Sequence, residues 1–186
     1  LQRYVSYNIV EELICHPDDL KMGGCRRKVT VLFADIQGFT QLLACQQPEA
    51  IVNQLNEYLT AMSSIIFEFG GMVDKFVGDA IIGIFGAICE SADDSSRAVY
   101  CALAMQEKLK QLQEKWRSES AAVFHSRIAV NSGEVIMGNI GSPQRMDFTA
   151  IGDPVNTASR LQAIAEIDTV VITVQTYQEV NSLFSL

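Results

Sequence analysis

The chain has no pair of cysteines in C-x-x-C spacing, no long apolar run, no internal repeat and no low-complexity tract. Its five cysteines (Cys15, Cys25, Cys45, Cys89, Cys101) are scattered. That spacing excludes a zinc-finger framework and fits reduced thiols in a cytoplasmic setting. No apolar stretch reaches the length of a membrane-spanning helix. Basic residues are in deficit, 14 Lys and Arg against 22 Asp and Glu, for a formal net charge of -8. Such a balance disfavours a broad basic face and with it a nucleic acid polymer as partner. A nucleotide that carries its own metal ions stays compatible with it. A signal peptide is missing too, and the start at Leu1 predicts a piece of a longer protein with an upstream regulatory domain.

What is present fits one domain of 186 residues with a full core. Residues 1–27 read as a lead-in: a helix over 4–14, an end at His16-Pro17, and a loose joint at Gly23-Gly24. The main domain is expected over 28–186. Arg26-Arg27-Lys28 reads as a solvated edge rather than a phosphate patch. Residues 29–35 form a buried-strand pattern ending in Asp35, followed by the glycine turn at Gly38. Pro48 opens a helix with Ile51, Leu55, Tyr58, Met62 and Ile66 inward, and Gly70-Gly71 stops it. Two apolar strands joined at Gly78-Asp79 make a hairpin carrying Lys75 and Asp79.

Asp93-Asp94 then caps a second long helix that runs to Trp116. Strands are expected over 126–131 and 134–139, divided at Ser132-Gly133, followed by a polar, partly extended arm over 144–151. Asp153-Pro154 opens a helix over 155–165. A strand over 169–174 and a short last helix complete the chain. The order β-α-β-β-α-β is the ferredoxin-like split βαβ pattern of an α+β domain. It predicts an antiparallel-rich sheet with helices on one face and a C-terminal extension.

Asp35 and Asp79 both lie at strand ends beside glycine turns. With the strand from Val29 next to the hairpin strand from Met72, the two carboxylates would meet. Alone, Asp35 reads equally as a strand-end cap or a metal ligand. As a pair the acids favour a metal, because side-by-side carboxylates repel unless a hard cation is shared. Asn156 and Arg160 stand at i and i+4 on one helix face, a spacing that suits a plain helix surface or a joint ribose and phosphate contact. Arg127 reads as a solvated strand end or a phosphate contact.

Four segments, 33–40, 74–80, 127–133 and 151–160, taken in this order and spacing, resemble the class III nucleotidyl cyclases of bacterial type. The resemblance runs from about Lys28 to the end. It implies a homodimer with shared active sites that converts ATP to 3′,5′-cyclic AMP and pyrophosphate. Two divalent metal ions, Mg²⁺ or Mn²⁺, would be held by Asp35, Asp79 and the Ile36 carbonyl. The backbone around Gly38, Phe39 and Thr40, with Arg127, would hold the terminal phosphates. From the other subunit, Asn156 would orient the ribose, and Arg160 would stabilise transition-state charge by about 3–4 kcal/mol.

Lys75 and Thr149 would read the purine. Lysine only donates, which suits adenine N1, and Thr149 accepts from the 6-amino group. A guanylate cyclase, expected to place an acid at Lys75, is the alternative. A regulatory domain without activity would have lost residues among Asp35, Asp79, Asn156 and Arg160, and none is lost. A polymerase-like enzyme would need a different acidic hairpin. Two departures from the family stand out. Its members usually continue past the last helix into a closing hairpin with a phosphate-contacting lysine, which has no counterpart up to Leu186, and Pro154 replaces a small residue but fits a first helical turn.

Overall fold

A computed structural model describes residues 23–184, so the helix expected over 4–14 lies outside the described residues. Within them the chain runs β1 (Gly23–Ile36), α1 (Phe39–Cys45), α2 (Pro48–Glu68), β2 (Met72–Val77), β3 (Ala80–Phe85), α3 (Asp94–Ser118), β4 (Ser126–Ser142), β5 (Arg145–Ile151), α4 (Asp153–Ile164), β6 (Val170–Ile172) and α5 (Val174–Val180). The sheet order is β2-β3-β1-β4-β5, with the short β6 also on β4. All pairings are antiparallel except β4 with β6. Through the first four strands this is the split βαβ arrangement that the element order predicts.

Alternation along β1 divides the core. Leu32, Ala34 and Ile36 point to one face, where they meet Ile51, Tyr58, Met62 and Ile66 of α2 and Met105, Leu109 and Trp116 of α3. Val29 and Val31 point to the other, where Met72, Ile82, Ile84, Val135 and Ala158 gather. Ala158 belongs to α4, so the helices are not confined to one face as expected. The reason is local. A Cβ on Gly133 would come within 2.6 Å of Pro154 Cγ, so the missing side chain lets the first turn of α4 seat directly on β4. Asn131 Nδ2 donates to Pro154 O at 2.9 Å and ties it there.

Three further expectations are corrected. Gly23-Gly24 and Arg26-Arg27-Lys28 are part of β1 rather than a joint before it, because β4 pairs with β1 from Gly23 to Ile36. Residues 126–131 and 134–139 are not two strands: β4 passes straight through Ser132-Gly133, which pair with Thr30 and Val29. Thr30 and Ser132 share a side-chain hydrogen bond of 2.9 Å there. The strand beside β1 is β3, not β2, which lies at the sheet edge. The polar arm is the strand β5, and 39–45 form a helix that the pattern did not announce.

The short join at Glu166-Ile167-Asp168 closes because Asp168 adopts a left-handed φ of 57°. Its carboxylate accepts from Ser126 N at 3.0 Å and meets His125 Nδ1 at 2.5 Å.

Candidate active site

Asp35 and Asp79 reach each other by register. Ala34 pairs with Ile81 across β1 and β3, which draws the Gly78-Asp79 turn to the end of β1. Gly78 makes this turn with a left-handed φ of 65°. The Ile36 N–H donates to Asp79 Oδ2 at 3.2 Å, fixing the second acid against the backbone of the first. Burial, and then the Asp79 carboxyl beside it, push the Asp35 pKa up to about 6. The Ile36 amide and Gln162, whose Nε2 donates to Asp35 Oδ2 at 3.4 Å, pull the other way.

Among the described residues no cluster of three or more His, Cys, Asp or Glu could hold a metal. The protein therefore offers two carboxylates and backbone oxygens. Such a set suits hard divalent cations that take their other ligands from water and phosphate. An acid pair that is costly to ionise without a cation fits that occupant.

Next to this pair, Gly38 caps α1 with a φ of 70°, and Phe39 and Thr40 begin the helix. Amides of a first helical turn lack intrahelical acceptors, which leaves them free for an anion. Gln37 N donates to His125 O at 2.8 Å, and Phe39 packs edge-on against Phe124 with centroids 6.0 Å apart. Arg127 pairs with Asp35 across β1 and β4. Its Nη1 donates to Ala163 O at 3.0 Å, and its Nε is buried without a partner. On α4, Asn156 and Arg160 are exposed one turn apart.

Lys75 and Thr149 lie in a second cluster, where β2 packs against β5 although the two end the sheet order. Lys75 Nζ is 3.5 Å from Asp74 Oδ2, and the Asp74 side chain is only 2% exposed. Thr149 is buried. Its hydroxyl lies close enough to Asp74 to favour the ionised carboxylate, although burial raises the Asp74 pKa overall. The two groups do not meet in hydrogen-bond geometry: Asp74 Oδ1 and Thr149 Oγ1 are both buried without a partner.

Sequence reasoning passed over Asp74 and Gln162. Both carried a signal. Asp74 is two residues from the inward Met72 in a strand, and Gln162 is one turn from the buried Ala158 in a helix.

The adenylate and guanylate cyclase catalytic domain family matches residues 25–185. An adenylate cyclase of Anabaena cylindrica is 36% identical over 156 residues, 80% of this chain and 30% of that protein. The chain thus spans under a third of the length of that relative. The adenylyl cyclase CyaB of P. aeruginosa superposes with a TM-score of 0.84 at 36% identity, covering 88% of this chain and 85% of the other. The guanylyl cyclase Cya2 superposes with a TM-score of 0.81 at 35% identity, covering 85% and 80%. The chain belongs to the class III adenylate and guanylate cyclase catalytic domain family.

Proposed function

We propose that this domain converts ATP to 3′,5′-cyclic AMP and pyrophosphate at sites shared between two copies of the chain. The observation that carries the reading is the division of the expected residues into two clusters. Asp35 and Asp79 touch at the end of β1, and Lys75 stands by Thr149 where β2 meets β5. A two-fold dimer that sets one cluster against its partner's other cluster would complete two equivalent sites. The exposed Phe76 and Val77, 51% and 54% accessible on the strand that leads to Asp79, suit such an interface.

In this reading the ribose 3′-hydroxyl gives up its proton to water, its oxygen attacks the α-phosphorus, the bond to the bridging oxygen breaks, and pyrophosphate leaves. Asp35, Asp79 and the Ile36 carbonyl would hold two divalent cations. Such cations, when bound, acidify the 3′-hydroxyl and neutralise the triphosphate. The amides around Gly38, Phe39 and Thr40 take the terminal phosphates. Arg127 joins them through its unpartnered Nε, and its bond to Ala163 keeps α4 in place. The partner copy supplies Asn156 to orient the ribose and Arg160 to stabilise charge developing on the phosphates. Lys75 donates to adenine N1 and Thr149 accepts from the 6-amino group.

The similarity to the guanylyl cyclase Cya2 favours GTP as a second reading. Against it, a lysine has no acceptor for guanine N1–H and the 2-amino group. The test is the purified domain with ATP or GTP and each of Mg²⁺ and Mn²⁺, with the cyclic product resolved by chromatography. Cyclic AMP as the dominant product supports the proposal. Preference for GTP overturns the choice of base, and no product at any protein concentration overturns the enzyme.

A further inference from the structure

A buried carboxylate needs a reason. Asp74 sits where the β2–β3 register shifts, between Val73 and Lys75. One oxygen has only a 3.5 Å contact with Lys75, and the other has none. An apolar residue on this face would join Met72 in the second core cluster at no such cost. The Thr149 hydroxyl lies close enough to Asp74 to act on its carboxylate, and the unmet oxygen of one and the unmet hydroxyl of the other are a matched acceptor and donor that would join.

That join would settle a question of polarity. A threonine hydroxyl both donates and accepts, so alone it cannot tell the adenine 6-amino group from guanine O6. A carboxylate only accepts. Once the Thr149 proton is given to Asp74, the Thr149 oxygen can only accept from a base. We infer that Asp74 is a specificity-determining positioning residue: it commits the Thr149 hydroxyl to accept a hydrogen bond and so selects a 6-aminopurine over a 6-oxopurine. The inference rests on the adenylate reading above and adds to it a residue that does not touch the base. A buried polar group left facing a partner of like polarity is the strongest form of discrimination a binding site has. The same carboxylate stands 3.5 Å from the Lys75 ammonium and helps to aim it.

The test is a double-mutant cycle on the purified domain. kcat/KM is measured for ATP and for GTP in the wild type, Asp74→Asn, Thr149→Val and the double variant. Asparagine has nearly the same shape but can donate to Thr149, which frees the hydroxyl proton for guanine O6. Asp74→Asn is expected to lower the ATP/GTP ratio of kcat/KM by about tenfold or more, chiefly through a higher KM for ATP. Thr149→Val is expected to lower the ratio too, and adding Asp74→Asn to it should change the ratio less than about twofold. An unchanged ratio in Asp74→Asn, or single effects that multiply in the double variant, overturns the inference. If Asp74→Asn does not fold, Asp74→Ser carries the same comparison, since serine fits the space and lacks a fixed acceptor. A wild type that prefers ATP with no effect of either change overturns this inference alone. A wild type that prefers GTP overturns the adenylate reading and the inference with it.

Discussion

Replacing Asp35 by asparagine should stabilise the metal-free domain while abolishing its activity. Asp35 carries a pKa of about 6 in the fold, against 3.8 for the free side chain. The folded state therefore binds the proton more tightly than the unfolded one. Its contribution to stability is fully present below pH 3.8 and is lost as pH rises through about 6. Each pKa unit corresponds to about 1.4 kcal/mol, so the ionised pair costs about 1–3 kcal/mol after allowance for solvent screening. For a chain of this size that is a shift in Tm of about 2–12 °C.

Asparagine removes the charge and keeps the shape. In EDTA the variant should melt higher than wild type at pH 8, and the gap should close as pH falls to 4. Saturating Mg²⁺ should raise the wild-type Tm at pH 8 and leave that of the variant nearly unchanged. Differential scanning fluorimetry across pH, with and without Mg²⁺, reads all of this. A variant that melts lower than wild type at pH 8, or gains as much from Mg²⁺, would refute the reasoning.

Other outcomes follow from named contacts. Gly133→Ala should press its Cβ against Pro154 and lift the first turn of α4. Thermal melts should show a loss of about 1–3 kcal/mol, and kcat should fall with Asn156 and Arg160 displaced; full activity in a fully stable variant would contradict the seating of α4. Lys75→Glu should cut kcat/KM for ATP by about a hundredfold while sparing GTP, and unchanged ATP turnover would show that Lys75 does not read the base. Trp116→Ala should cost about 3–5 kcal/mol, because the ring is fully buried and packs at 5.1 Å on Phe124; chemical denaturation measures it.

The elements built from long periodic patterns were plain in the sequence. Helices α2 and α3 keep one apolar stripe, and Pro48 and Gly70-Gly71 mark the ends of the first. The features that escaped depend on partners distant in the chain. Ser132-Gly133 looks like a break by composition, yet it continues β4 because β1 supplies its ladder bonds and Pro154 needs the space. Arg26-Arg27-Lys28 looks like an edge, yet the β4 ladder, with Ile136 opposite Arg26 and Glu134 opposite Lys28, carries it within β1. Asp35 and Asp79 could be paired in advance because both end strands at glycine turns. The burial of Asp74 was signalled by its place two residues from Met72, but its neighbourhood with Thr149 shows only once β5 reaches β2.

The central claim is that neither copy of the chain holds a whole active site. Mixing two inactive variants, Asp35→Asn and Arg160→Ala, tests it most directly. One carries an intact Lys75 and Arg160 half, the other an intact Asp35 and Asp79 half. If sites are shared, random pairing gives half heterodimers with one good site each, so an equimolar mixture should recover about a quarter of wild-type cyclase activity. A mixture as inactive as its components, with both variants folded and able to dimerise, would contradict the account.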